Sequence, residues 1–396
     1  MLTLLSPCRL ILLLSTSLLL GQAPLFAGEA RIHCKANESE RYALVIGNSA
    51  YSQGRDTFVP LPAVVADRTD VTKALCEMGF TVVVGDDQTL DEMKRAVMLL
   101  GGKRQNQLVV VYFSGHGLQY KGFNYLIPIN ASITAETIAK NSLDLRDIYD
   151  ALDVLEPAKS REAVIILDAC RSNRFSESGT VIPGLAIPSD APPGITVAFA
   201  TAPGTKALSP GQEDTQHSLY TEFLLKYLQQ PGYTLPELFA NVRRDLIKAS
   251  ERHQIPWENS SALTNVFLAK PIDVEWRVLA VDDMVEARIK GVPVLQATYP
   301  RQWEAIPLDI LKPGRNPFEI RVYNDKTTNS DFKRQGWHYR VQVRFQHTAV
   351  YEFACKESEP PVLRWGQEFS VYSGFIDISS KGIVTVSPPS CMFEPF

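Results

Sequence analysis

Two stretches constrain the fold of this chain more than anything else in it. One reads Leu108-Val-Val-Val-Tyr-Phe-Ser-Gly-His116-Gly117, the other Ala163-Val-Ile-Ile-Leu-Asp-Ala-Cys170-Arg171. Each is a run of β-branched and aromatic residues without polar alternation, the pattern of a strand covered on both faces in the interior of a parallel sheet. Each run therefore carries its last residues to the carboxyl end of a strand, the edge at which open α/β sheets bind ligands. His116 and Cys170 are expected to meet there in one cleft, as a base and a nucleophile.

The surrounding pattern agrees with a parallel sheet. From Glu40 to about Lys270, strands and helices alternate, as in a sheet with helices on both faces. Arg41 to Asn48 predicts a strand. The segment after Pro62 predicts a helix that stops at Gly79, and Phe80 to Val84 predicts a second strand. Asp86 to Thr89 offers a cap for a helix through Met93 and Leu100. Gly122 marks a hairpin, Leu143 to Leu155 a helix, and Gly194 to Ala200 a further strand. Two helices, about His217 to Leu228 and Thr234 to Ser250, precede a short strand expected near Asn265 to Ala269. The stretch from Arg171 to Pro193, rich in Ser, Gly and Pro, reads as a surface loop. Beyond Pro271 the runs become short and alternating, as in Tyr339-Arg-Val-Gln-Val-Arg-Phe, which predicts an antiparallel sandwich of immunoglobulin-like kind. The expected units are a leader at 1–27, an α/β domain at 41–270 and a smaller all-β domain at 275–396.

The leader follows from Arg9 ahead of an apolar stretch, Leu10 to Leu20, then Gly21, Pro24 and a cleavage point after Ala27, the shape of a secretory signal peptide. The apolar stretch is shorter than the roughly 20 residues of a membrane span. An exported chain, periplasmic or secreted, without a stable span after processing is the expectation. Removing Arg9 and no acid leaves 39 basic and 44 acidic residues, a balance that gives no reason to expect nucleic acid as a partner. Five of the six cysteines lie beyond the leader: Cys34, Cys76, Cys170, Cys355 and Cys391. An odd number in an exported chain suggests one free thiol. Two disulfides with Cys170 left over is the simplest arithmetic, although spacing alone fixes no pairing.

A thiol is only a few per cent thiolate at neutral pH, so a cysteine nucleophile is helped by an imidazole that takes its proton and later passes one to the leaving amine. His116 and Cys170 are the residue types for that work. Gly115 and Gly117 would let the backbone bend and a substrate carbonyl come close, and the backbone N–H groups of Gly117 and Cys170 are candidates for an oxyanion hole. Taken singly, a cysteine ending a buried strand is usually a small apolar filler, and a histidine beside glycines a turn residue. Their joint position at two strand ends favours chemistry. No Gly-x-Ser-x-Gly elbow occurs, which removes the support for a serine hydrolase.

Ser114-Gly-His-Gly117 and Asp168-Ala-Cys-Arg171 resemble the His and Cys motifs of the caspase-like cysteine peptidases, in which the His lies about 50 residues upstream of the Cys. Tyr42 to Tyr51, Leu61 to Asp67, Asn124 to Pro128, Thr201 to Gly204 and Gln254 to Trp257 look like the bacterial branch near the metacaspases. The resemblance covers roughly residues 41 to 270 and implies an αβα sandwich with a mainly parallel sheet. Animal caspases hold an aspartate side chain with arginines and the Gln of their motif. Here Asp168 replaces that Gln, and Leu61 falls where the first arginine would be. A pocket containing Asp168 and Asp67 would repel an acidic side chain and accept Arg or Lys through charge-assisted hydrogen bonds. In metacaspases the positions matching Asp67, Ser114 and Asp168 form such a pocket.

The expected activity is a cysteine endopeptidase acting on proteins or peptides after Arg or Lys. The alternative is a catalytically idle caspase-like module whose β domain binds a protein partner. No cofactor is expected. Calcium activation, common among metacaspases, finds only the isolated pairs Asp86-Asp87 and Glu213-Asp214, whereas a calcium site wants about six to eight oxygens. Arg171 and Arg174, in the loop after Cys170, are where a basic-specific enzyme could cut itself.

Overall fold

The computed structural model describes residues 28–36, 40–51, 58–101, 108–152, 162–171, 185, 191–202, 216–281, 284–307, 309–323, 337–346, 349–357 and 368–387. Of these, residues 101, 170–171, 337–338, 349–350, 354–357 and 368–372 are described by their backbone alone. The leader, most of the loop after Arg171, and Glu213-Asp214 lie outside the described residues.

The first half builds one nine-stranded sheet. In chain order its elements are β1 (Arg31–Cys34), β2 (Arg41–Gly47), α1 (Ala63–Glu77), β3 (Thr81–Asp86), α2 (Leu90–Gly101), β4 (Leu108–Tyr120), β5 (Phe123–Leu126), α3 (Ile138–Asn141), β6 (Leu143–Asp144), α4 (Leu145–Leu152), β7 (Glu162–Arg171), β8 (Ile195–Phe199), α5 (Leu219–Leu228), α6 (Leu235–Ala249) and β9 (Trp257–Ser260). The strand order is β1-β3-β2-β4-β7-β8-β9, with β5 and β6 added beside β4. Strands β3, β2, β4, β7 and β8 run parallel, while β1 and β9 close the two edges antiparallel. Both faces are covered. Val110, Tyr112, Val164 and Ile166 pack under Leu75 of α1, Leu224 of α5 and Val242 of α6. The alternate residues Val111, Phe113, Ile165 and Leu167 pack under Met93 of α2 and Ile148 of α4. A strand with a helical layer on each side has no polar face, hence the unbroken apolar runs.

Local chemistry explains the helix ends. Gly79 takes φ +80 just past α1, Ser218 caps α5 by accepting the Thr221 N–H at 3.0 Å, and Thr234 with Glu237 forms a capping box at α6. The expected helix from Leu143 instead begins at Leu145. Asp144 takes the first helical N–H through Arg146 at 2.9 Å, while Leu143 and Asp144 pair with β5. The short strand expected at Asn265 to Ala269 is a single bridge, Thr234 to Phe267. The ninth strand lies earlier, at Trp257–Ser260, where a mostly polar edge carried no apolar signal. Strand β4 does not stop at His116. It continues to Tyr120 and turns into β5 through Lys121 and Gly122, both at positive φ (+49 and +84), the two-residue hairpin expected around Gly122.

The second half holds two antiparallel sheets around one core. Strands β10 (Val274–Val281), β13 (Arg301–Ala305), β15 (Trp337–Phe345) and β16 (Ala349–Glu357) form one, in the order β13-β10-β15-β16. Strands β11 (Met284–Ile289), β12 (Val292–Ala297), β14 (Gly314–Tyr323), β17 (Glu368–Ile378) and β18 (Val384–Ser387) form the other, ordered β12-β11-β14-β17-β18. Trp276, Phe318 and Phe353 stack between them. The sandwich shares the immunoglobulin architecture rather than its strand order: the first two strands, neighbours in an immunoglobulin sheet, here lie in opposite sheets. Its attachment is specific. The Lys312 ammonium donates to Gly232 O, on the turn between α5 and α6, and to Glu237 Oε2, in the first turn of α6, each at 2.7 Å.

Candidate active site

The register of β4 against β7 pairs Ser114 with Asp168, His116 with Cys170 and Gly117 with Arg171. The backbones of the expected base and nucleophile are thus direct neighbours on adjacent parallel strands. Alternation along each strand sends Ser114 and His116 to the face covered by α1 and α5. The Cys170 side chain lies outside the described residues.

His116 is buried and held on three sides. Its Nε2 lies 2.7 Å from the Val59 carbonyl oxygen. A carbonyl only accepts, so Nε2 carries the proton and the neutral ring keeps its lone pair on Nδ1. The Tyr51 ring meets the imidazole edge-on at 4.6 Å and Phe58 lies at 5.0 Å. The Tyr51 hydroxyl accepts the His116 N–H at 3.0 Å and donates to Ile127 O at 3.0 Å. Here the glycines act through space rather than by bending. A Cβ on Gly115 would lie 2.7 Å from the Tyr51 hydroxyl and 2.8 Å from the Phe113 ring, and one on Gly117 would lie 3.0 Å from Ala169 Cβ.

Two residues back along the same strands, Ser114 and Asp168 pair, and α1 brings Asp67 to them. Asp67, on α1, has its carboxylate fully buried, with Ser114 Oγ 3.5 Å from Oδ2. Its Oδ1 accepts the Ser218 N–H at 3.1 Å and faces His217 Nδ1 at 2.9 Å. Asp168 Oδ2 accepts from Thr221 Oγ1 at 2.7 Å and from Ser218 Oγ. Burial, reinforced by the charge of Asp168, pushes the Asp67 carboxyl up to about 8, and burial also raises Asp168. Two carboxyls crowded into a space that excludes water resist being charged together, and a cation placed between them relieves both.

The acid pair Asp86-Asp87 serves the fold around the loop between β2 and α1. Asp86 pairs with Arg68, and Asp87 Oδ1 accepts the N–H groups of Ser49 (2.6 Å) and Ala50 (2.8 Å). Asn48 is fully buried, donating to Ile127 O and accepting from Gln88 N. Among the described residues no three His, Cys, Asp or Glu side chains gather as a metal site.

Sequence reasoning missed Val59, Tyr51, His217, Ser218 and Thr221. A backbone carbonyl leaves no trace in residue type, so Val59 carried no signal. Ser218 did carry one, as a serine just before a helical run.

The mainly parallel sheet, with a histidine and a cysteine paired at two adjacent strand ends, defines an α/β fold arranged for thiol chemistry, and the comparison of sequences names its family. Residues 40–268 match the caspase domain of the Peptidase C14 family, and the chain belongs to that family of cysteine peptidases. Among solved structures the chain is similar to caspase-1 from Spodoptera frugiperda, at 15% identity and a TM-score of 0.45, covering 61% of this chain and 99% of that one. No curated protein matches the chain.

Proposed function

We propose that this chain is an exported cysteine endopeptidase that hydrolyses peptide bonds after arginine or lysine, with Cys170 as nucleophile and His116 as base. The observation that carries the reading is the register in which His116 sits beside Cys170 and Ser114 beside Asp168. In the first step His116 Nδ1 takes the thiol proton and the thiolate attacks the scissile carbonyl. The backbone N–H groups of Gly117 and Cys170 receive the developing oxyanion. The imidazolium then gives its proton to the leaving amine, the C–N bond breaks and an acyl-enzyme remains. Water, deprotonated by the same imidazole, hydrolyses the thioester and restores the thiol. Holding Nε2 on the Val59 carbonyl keeps one tautomer ready for each transfer.

The acids Asp67 and Asp168, with Ser114, supply specificity. A guanidinium or ammonium entering their pocket exchanges a repulsive pair for a charge-assisted one. Export is supported by the leader-like first 27 residues and by the Cys34–Cys76 disulfide, with Cα atoms 6.1 Å apart, a bond that persists in oxidising compartments.

The test is cleavage of fluorogenic peptides ending in Arg, Lys or Asp, under reductant, by the mature chain and its Cys170→Ala variant. Turnover of the Arg and Lys peptides that vanishes in the variant is expected. Equal background rates in both proteins would instead make the chain an idle binding module. Cleavage confined to the Asp peptide would remove the pocket assignment.

A further inference from the structure

His217 sits where the chain turns into α5, between two carboxylates one turn apart on α1. Its Nδ1 lies 2.9 Å from Asp67 Oδ1 and its Nε2 lies 3.1 Å from Asp70 Oδ2. The imidazole is 16% exposed, Asp67 0% and Asp70 45%, so the ring spans from the closed floor of the pocket to its solvent rim. The Ser218 N–H, at 3.1 Å, reaches the same Oδ1. Rotation about the last torsion of an aspartate is broad and weakly restrained. With Nδ1 carrying its hydrogen, His217 and the Ser218 N–H are two donors on one oxygen, which removes that freedom and leaves Oδ2 on the side of Ser114.

We propose that His217 is a positioning residue of the pocket: it holds Asp67 by Oδ1 so that Oδ2 is presented, together with Asp168, to the side chain at the cleavage site. The inference rests on the basic-specific reading of that pocket. Asp67 held in this way offers one oxygen rather than two, and Asp168 likewise has Oδ2 engaged by Ser218 and Thr221. Single acceptors on two separate carboxylates suit a planar guanidinium, which can direct different N–H groups to each, better than a compact ammonium. His217 therefore also biases the enzyme towards arginine over lysine. A merely structural staple between α1 and α5 would act on stability and turnover, not on this ratio.

The experiment compares wild type, His217→Ala and His217→Asn on Arg- and Lys-ended peptides, and measures benzamidine binding calorimetrically in the Cys170→Ala background. For His217→Ala, KM for the Arg peptide and the benzamidine Kd should rise about tenfold, the size of one charge-assisted hydrogen bond. Its kcat should stay within about twofold on the same reasoning, because KM carries binding and kcat the chemistry. The Arg-over-Lys ratio should shrink, and His217→Asn, which keeps a shorter donor, should recover part of the loss. Unchanged KM and benzamidine affinity in folded His217→Ala or His217→Asn would overturn the proposal while leaving the basic pocket standing, as would a fall in kcat alone. Failure of the parent Cys170→Ala protein to bind benzamidine, or cleavage after aspartate by wild type, would overturn the pocket reading and this inference together.

Discussion

Asp67 and Asp168 share a space that water does not reach, and the cost falls on their charged forms. The Asp67 carboxyl stands at about 8 in the folded chain, against about 3.9 when unfolded. The folded state thus holds its proton more tightly, and the stability this contributes is full below pH about 4 and is lost as pH rises through about 8. Asp67→Asn removes the titration. At pH 9 that variant is expected to be more stable than wild type by about 1–3 kcal/mol, or roughly 2–4 °C in Tm per kcal/mol, with the gain disappearing near pH 5. Thermal melts across pH would show it. The same substitution should cost about 100-fold in kcat/KM on an Arg peptide, since a charge-assisted pair is lost in a desolvated site. On the basic-specific reading, a cationic side chain entering beside Asp67 displaces the proton that burial holds there below pH about 8. KM for Arg peptides should therefore fall as pH rises from 6 to 8, and initial-rate kinetics should find that slope flattened in Asp67→Asn. The positions of the candidate reactive residues were legible because strand ends announce themselves in an apolar run, and those of the candidate pocket acids because the family motif marks them. The groups that orient both, Val59, His217 and Ser218, were hidden: they act through a carbonyl or across as many as 151 positions of sequence.

At the level of elements, β4 does two jobs in one strand. Its first half is buried in the sheet, and its second half, past Ser114, is wrapped by Tyr51, Phe58, Tyr125 and Ile127. Gly115 is the point at which Tyr51 crosses over. Gly115→Ala would place a methyl 2.7 Å from the Tyr51 hydroxyl, and relieving that overlap costs about 1–3 kcal/mol. Displacing the hydroxyl also releases the His116 N–H. A fall in kcat of at least tenfold, roughly the value of one hydrogen bond in the transition state, is expected with KM for the Arg peptide little changed; steady-state kinetics separates the two. The parallel strands and long helices were readable from period and caps. What escaped was made by pairing instead of pattern: β1, β6 and the polar edge strand β9 exist because a neighbour offers them a ladder. The role of Gly115 likewise depends on a tyrosine 64 positions upstream that no local rule connects to it.

The whole molecule is tied together at the amino ends of its parallel strands. There the Arg41 guanidinium, buried over the Phe80 ring, donates to the carbonyls of Met78, Phe267 and Leu268. The Cys34–Cys76 disulfide joins β1 to the last turn of α1, closing a loop of 42 residues worth about 4 kcal/mol in the chain-entropy account. Cys34→Ser with Cys76→Ser should lower the denaturation midpoint by up to that amount without changing the Arg-over-Lys ratio, as urea titration and peptide assays would show. Lys312 anchors the sandwich to the same pole. Lys312→Ala should leave kcat/KM on short peptides within about twofold, a surface-pair effect, while quickening proteolytic nicking near residues 270–273. Helix α5 begins at the pocket with Ser218 and ends at this anchor, so its roughly 15 Å length sets sandwich and cleft at opposite ends of one rigid rod. A copy gripped by its sandwich would hold the paired strand ends of β4 and β7 outward, like a blade on a handle.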